Sequence, residues 1–131
     1  MKVEVGVIAG VILLALVNIF WASIARTKQY GTQWNVGARD GDTPPLNPFP
    51  ARLKRAQENL FETLPLFLGA ILTALAVNHT GWKTQWGGIL YLGARVAYLP
   101  IYAAGIPVIR TLIFFVSLIG LLLVLFGAVF S

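Results

Sequence analysis

Polar side chains recur every three or four residues near the middle of the chain, at Arg52, Arg55, Asn59 and Glu62. Residues at this spacing share one face of an α-helix, so the sequence predicts a charged stripe along a single helix. Arginines donate paired hydrogen bonds to carboxylates, and a carboxylate accepts hydrogen bonds from an amine. The stripe therefore has the groups needed to bind a small polyanion that also bears an amine.

A second polar face follows at Arg95, Tyr98 and Tyr102, which are spaced by three and then four residues. The two tyrosines add hydroxyl donors and aromatic surface. Arg110 begins the next predicted helix, where the positive end of the helix dipole also favours an anion. We expect the two faces and Arg110 to converge on one pocket, with the adjoining apolar helix surface available to a lipophilic second substrate.

The elements that must position these residues are membrane helices. The 131-residue chain is 57% hydrophobic and only 11% charged, whereas soluble domains carry about 25% charged residues. The length accommodates four spans of about 20 residues each with little beyond their connections. We therefore predict an all-α fold, an integral membrane four-helix bundle forming a single domain over residues 1–131, with helices at about 3–25, 51–77, 84–104 and 107–130.

Residues 26–50 form a long connection between the first two predicted helices. Its glycines and prolines predict an absence of regular structure, and connections of this length are usually functional or mobile. Six of the ten lysines and arginines fall within residues 26–55. The positive-inside rule then places this loop and the polar pocket on the cytoplasmic side, with both termini on the opposite side.

Two absences narrow the chemistry. Cysteine is missing, so a thiol reaction requires a thiol that arrives with a ligand. His79 is the only histidine, and we therefore expect no metal centre. The net charge of +5 is interpreted as a topology signal, and we expect no nucleic-acid partner.

Structural interpretations of the same residues stay open at this point. Arg55 and Glu62 can form a network that only ties helices together, or their charged ends can extend to the membrane interface. Tyr102 and Arg110 suit interfacial anchoring, and Tyr98 suits helix packing. Arg95 lies deep in an apolar run, and ionisable residues inside membrane segments are functional candidates by default.

The run from Arg55 to Glu62 (Arg-Ala-Gln-Glu-Asn-Leu-Phe-Glu), followed by Pro65, resembles the second-helix signature of the MAPEG family, the membrane-associated proteins in eicosanoid and glutathione metabolism. Arg95-Val96-Ala97-Tyr98, then Tyr102 and Arg110, are similar to the family's pattern in the third and fourth helices. Thr63 stands where one enzyme of the family has a tyrosine, so one glutathione contact is missing. The spacing from Tyr102 to Arg110 also differs by one residue from that enzyme.

The resemblance implies a homotrimer that binds glutathione between neighbouring subunits near the cytoplasmic side. It assigns Arg110 the catalytic role of stabilising the glutathione thiolate. It assigns glutathione binding to a larger set, in which Arg26 at the end of the first helix is the weaker match: Arg55, Gln57, Asn59, Glu62, Tyr98, Tyr102, Arg95 and Arg26. The expected partners are glutathione, a lipophilic small molecule or lipid, and the membrane lipids.

Three functions remain as hypotheses. The first is a glutathione-dependent membrane transferase or peroxidase acting on a lipophilic electrophile or a lipid hydroperoxide. The second is a non-catalytic lipid-binding or scaffold protein of the same fold, because fold alone does not establish activity. The third is a small transporter that uses Glu62 as a coupling carboxylate, which is disfavoured because neighbouring arginines hold a carboxylate ionised.

Overall fold

The computed structural model describes residues 2–130 and is all-helical over that range. It contains four long helices and one short one, rather than four alone. In chain order they are α1 (Val3–Tyr30), α2 (Thr32–Val36), α3 (Pro48–Ala76), α4 (Trp82–Ala103) and α5 (Pro107–Val129).

The segment between α1 and α3 corrects the prediction that residues 26–50 lack regular structure. Helix α1 continues through Tyr30 because residues 26–30 contain neither glycine nor proline, and Gly31, with a positive φ of 98°, ends the helix. Helix α2 then makes a short turn that ends at Gly37, and α3 already begins at Pro48. Proline is accepted at that position because the first turn of a helix has no partner for a backbone N–H.

Three helices are long and apolar enough to cross a membrane: α1, α3 and α5. The protein is therefore an integral membrane protein with several candidate spans. Helix α4 is absent from this set, since polar residues such as Lys83 and Arg95 lower its hydropathy. Its 22 residues extend over about 33 Å, which matches a bilayer core of about 30 Å. The fourth predicted span stays a prediction.

Small residues allow α4 and α5 to pack backbone against backbone. A Cβ atom added at Gly120 would lie 2.7 Å from the Gly87 carbonyl oxygen and 2.7 Å from the Tyr91 nitrogen. A Cβ atom at Gly127 would lie 2.9 Å from the Thr84 side chain. Such close approach through small residues is typical of helix pairs in membranes, and it fixes the start of α4 beside the end of α5.

The interior consists of two clusters stacked along the bundle. The cluster nearer the chain termini includes Phe67 and Tyr91, whose rings stack with centroids 4.0 Å apart. The cluster nearer the α1–α3 connection includes Leu53, Tyr98 and Leu99. Tyr98 and its neighbours thus belong to a packed core that supports the polar end of the bundle.

Candidate functional site

A ladder of three side-chain contacts joins α3 to the antiparallel α4. Arg55 Nε donates to the Tyr102 hydroxyl at 3.2 Å, and Arg95 Nη1 donates to Asn59 Oδ1 at 2.8 Å. The Thr63 and Tyr91 hydroxyls form the third contact at 2.7 Å. The members of α3 are four residues apart, so one face of that helix contributes all three. The two polar faces predicted from the sequence do meet.

Arg110 joins the first step of this ladder from α5. Its guanidinium carbon lies 4.8 Å from the centre of the Tyr102 ring, while that of Arg55 lies 5.9 Å from the same centre. Both distances are within the range of a cation–π contact. Two cations from different helices thus flank one phenol. This basic group, composed of Arg55, Tyr102 and Arg110, is suited to hold an anion.

Arg52 lies beside the basic group but has a structural partner. Its Nε donates to the Ala103 carbonyl oxygen at 2.8 Å. That carbonyl belongs to the last residue of α4, where backbone oxygens have no partner within the helix. Arg52 therefore caps α4 and helps to hold Tyr102 in position.

Arg95 occupies the interior of the bundle, with 2% of its surface exposed. Besides its hydrogen bond to Asn59, its guanidinium lies 4.5 Å from the centre of the Tyr98 ring. Its Nε and Nη2 atoms have no hydrogen-bond partner among the described residues. Arg95 and Tyr98 thus contact each other and the core, and Arg95 acts on the surface only through Asn59.

Gln57 of α3 and Arg26 of α1 face each other across a side of α3 that does not carry the ladder. Both line a cleft of about 150 Å³ between α1 and α3. Gln57 is two residues from Arg55, a spacing at which helical side chains do not share a face. Arg26 and Arg55 do meet at a larger cavity that the α1–α3 connection covers. One chain therefore presents Gln57 on a different surface from Arg55, while Arg26 lines both the cleft and the larger cavity.

Glu62 is exposed at the side of α3. The ion pair found within residues 2–130 joins Lys54 to Glu58 at 4.0 Å, on the exposed surface. A network of Arg55 with Glu62 is thus not present, and the Glu62 carboxylate is free to meet a ligand or another protein chain.

Two polar features were missed in the sequence. Glu4 is buried, with 1% exposure, and its Oε2 accepts a hydrogen bond from the Thr84 hydroxyl at 2.6 Å. Trp34 in α2 contacts two guanidinium groups, with Arg39 at 4.6 Å and Arg26 at 5.4 Å from the indole centre. An acidic residue that begins an apolar helix was one signal, and a tryptophan among the basic residues of the connection was the other.

The comparison with known protein families gave one result. The sequence model of the MAPEG family matches residues 7–130, nearly the whole chain. No individual curated protein and no solved structure gave a significant match. The family match covers the ladder, the basic group and the connection between α1 and α3.

Proposed function

The chain belongs to the MAPEG family, and from this premise we propose that it is a glutathione-dependent membrane transferase or peroxidase. Its substrates are glutathione and a lipophilic electrophile or lipid hydroperoxide. Membership places the chain among membrane proteins of glutathione and eicosanoid metabolism, and the specific reaction is our proposal. The observation that carries it is the basic group, in which Arg55 and Arg110 flank Tyr102.

The chemistry follows from the charges of the basic group. A thiolate is the reactive form of a thiol, and nearby cations lower the pKa of a free thiol from about 8.5. Arginine suits this task because its guanidinium stays protonated throughout the physiological range. We assign thiolate stabilisation to Arg110, since it lies in the first turn of α5 and the positive end of the helix dipole adds to its charge. Arg55 and the Tyr102 hydroxyl then hold the remainder of glutathione.

In the transferase reaction, the glutathione sulfur forms a bond to the electrophilic carbon, and the bond from that carbon to its leaving group breaks. The thiol proton ends on the leaving group or in solvent. In the peroxidase reaction, two glutathione molecules reduce one hydroperoxide, which gives the alcohol, water and glutathione disulfide. Both reactions need the same thiolate, so one arrangement of arginines serves either of them.

We further propose that the complete site forms between subunits of a homotrimer. Glu62 and Arg55 are exposed on a helix that has the composition of a membrane span. A charged side chain at the centre of a bilayer costs at least about 2.5–3.5 kcal/mol. A neighbouring subunit removes this cost by covering the stripe, and it can bring its own Arg26 and Gln57 surface against the ladder. The separation of these residues within one chain favours this arrangement.

The test uses the purified protein in detergent. We expect glutathione to raise the melting temperature, since a ligand at 100 times its Kd stabilises the folded state by about 2.7 kcal/mol. Arg55→Gln should reduce this shift strongly, whereas Lys28→Gln, an exposed cation of α1 outside the basic group, should retain it. A conjugation assay with a chromogenic electrophile then measures turnover.

Each outcome decides between the hypotheses. A thermal shift together with turnover supports the enzyme. A shift without turnover identifies a glutathione-binding member that lacks catalysis. The absence of both a thermal shift and turnover overturns the proposal, and the lipid-binding or scaffold function then remains. A chemical cross-linking experiment on the same sample tests the trimer separately.

A further inference from the structure

The connection between α1 and α3 folds into a defined structure that covers a cavity of about 820 Å³. The Tyr30 hydroxyl donates to the Pro44 carbonyl oxygen, and the Gln29 amide donates to that of Pro45 at 3.0 Å. The Asn47 backbone N–H donates in turn to Gln29 Oε1 at 2.7 Å. These contacts fasten the end of the connection that precedes α3 to the last turn of α1. The cavity is thus a built feature of the fold.

Cations dominate the lining of this loop cavity. It is lined by Arg26, Arg39, Lys54 and Arg55, with Glu58 as its one carboxylate. Glu58 pairs with Lys54 on the exposed surface, which leaves three guanidinium groups without an acidic partner among the described residues. Like charges gathered in a concave site repel each other, and a bound anion relieves that repulsion.

Unpaired donors occur at the same place. Arg26 Nε and Trp34 Nε1 are buried and have no hydrogen-bond partner within residues 2–130. A buried donor without a partner costs about 1–3 kcal/mol. Both residues line the loop cavity, so a small rotation of either side chain would present its donor to an oxygen-rich anion bound there.

Arg39 is held in place at a conformational cost. Its φ of 62° lies in the left-handed region, which residues other than glycine, asparagine and aspartate seldom adopt. Its guanidinium donates to the Asn35 carbonyl oxygen through Nε at 3.2 Å and Nη2 at 2.9 Å. These bonds orient the group over the Trp34 ring, 4.6 Å from its centre.

The stacking on Trp34 indicates which anion fits. Arg26 and Arg39 both contact the indole ring, so its surface is already used by guanidinium groups. The cavity therefore presents N–H donors rather than a free aromatic surface, which favours a phosphate oxygen over a nucleobase. The cleft between α1 and α3 shares Arg26, Leu46 and Lys54 with the cavity. Its remaining lining mixes Ser23 and Gln57 with apolar residues such as Ile19, against which an acyl chain can lie.

We propose that the loop cavity binds the phosphate group of an anionic lipid, with Arg39 and Trp34 as its specific contacts and Arg26 shared with the adjoining cleft. The chemistry recognised is a phosphate ester with a net negative charge, which an anionic lipid headgroup or a free phosphorylated metabolite can each supply. The cavity is also lined by Arg26 and Arg55, which are assigned to glutathione. Its tests therefore use Arg39 and Trp34, which lie outside that set.

The experiment is native mass spectrometry of the full-length protein released from micelles that contain a defined lipid. Phosphatidylglycerol is the anionic probe, phosphatidylcholine is the zwitterionic control, and glycerol 3-phosphate is the free competitor. We expect retention of phosphatidylglycerol over phosphatidylcholine. Arg39→Gln should weaken retention about fivefold, which corresponds to the loss of about 1 kcal/mol for one basic residue near a membrane surface.

Two further variants separate a specific site from general attraction. Trp34→Phe keeps an aromatic ring but removes the unpaired N–H donor, and it should also reduce retention. Lys28→Gln removes the same charge from an exposed position outside the cavity, and retention should be unchanged. If Lys28→Gln and Arg39→Gln weaken retention equally, or if both lipids are retained equally, the proposal is wrong.

Competition identifies the source of the phosphate. If glycerol 3-phosphate displaces the lipid, the cavity recognises phosphate esters in general, and if it does not, the acyl chain in the cleft is part of the recognition. The glutathione thermal shift of Arg39→Gln should equal that of the unmodified protein. Lipid retention therefore tests the cavity even if the proposed glutathione reaction fails.

Discussion

The two ends of the helix bundle treat their polar groups in opposite ways. At the terminal end, near the chain termini, the Thr84 hydroxyl donates to Glu4. His79 Nδ1 pairs with the Ala128 carbonyl oxygen at 2.7 Å, and Lys83 Nζ donates to the Phe130 carbonyl oxygen at 3.1 Å. At the basic end, Arg55 and Arg110 gather around one phenol, and buried donors lack partners in the described residues.

The difference indicates which end is built for stability and which for binding. Within residues 2–130, no buried side-chain donor or acceptor at the terminal end lacks a hydrogen-bond partner. At the basic end, cations outnumber acceptors, so the free protein carries a repulsion that an anion removes. Substitutions at the terminal end should therefore alter stability alone, and substitutions at the basic end should alter ligand binding and catalysis.

Arg110→Ala should have the largest effect. Loss of the cation that stabilises the thiolate should lower kcat by about 10²–10³-fold, the range found when one preorganised donor to a reacting anion is removed. Ultraviolet difference spectra of bound glutathione should lose the thiolate band, while the glutathione thermal shift remains. A thiolate band that persists in the variant contradicts the role of Arg110, and Lys28→Gln serves as the control of equal charge change.

Thr84→Val should have the next largest effect, and this effect should be confined to the stability of the protein. Valine has a similar shape but removes the hydroxyl that donates to Glu4, so a carboxylate with 1% exposure loses its donor. An unsatisfied buried polar group costs about 1–3 kcal/mol, with charged groups at or above the upper end. Thermal unfolding should report this loss, and Thr84→Ser, which keeps the hydroxyl, should restore most of it.

The same variant tests the contrast between the ends. Glutathione affinity per folded molecule should not change in Thr84→Val, because the basic group lies at the other end of α4. A large change in affinity would mean that the two ends are coupled, and the division of roles proposed above would fail.

Many of the polar contacts at the basic end could be predicted from the sequence, but few of those at the terminal end could be. The stripe of Arg55 and Asn59 and the face of Arg95 and Tyr102 follow from helical periodicity, which is a local property of the chain. Their contacts in the structure confirm that the two faces meet. The partner of Glu4 is 80 residues away, and no local pattern encodes such a pairing.

The α1–α3 connection shows the other limit. The glycines and prolines of residues 26–50 were interpreted as ending all regular structure. However, the first of them is Gly31, and residues 26–30 continue α1. The rotation of one helix against another is likewise a matter of packing. For this reason the placement of Gln57 and Arg26 beside a separate cleft became visible only with the three-dimensional structure.

Gly120→Ala should have an intermediate effect that reaches both ends. The added Cβ atom would lie 2.7 Å from backbone atoms of α4, which cannot move away as a flexible side chain can. Overpacking of this kind costs about 1–3 kcal/mol. Because α4 and α5 carry Tyr102 and Arg110, separation of the helices should also lower turnover per folded molecule.

Gly93→Ala is the matched control for this variant. It makes the same substitution in α4 at a position with open space within 4 Å of the new Cβ atom. Alanine is the better helix former, so this variant should be neutral or more stable by up to about 1 kcal/mol. Equal destabilisation of both variants would show that the effect comes from the glycine itself and not from the close approach of α4 to α5.

Lys83→Ala should have the smallest effect and sets the lower limit of the comparison. Its ammonium group donates to the Phe130 carbonyl oxygen just beyond the end of α5, where a cation complements the negative end of the helix dipole. Such exposed contacts contribute about 0.3–1 kcal/mol, and salt weakens them. The melting temperature should therefore fall slightly at low ionic strength, and the difference from the unmodified protein should shrink in high salt. A salt-independent loss would show that Lys83 stabilises this end through packing of its aliphatic stem, and the terminal end would then owe less to charge than the basic end does.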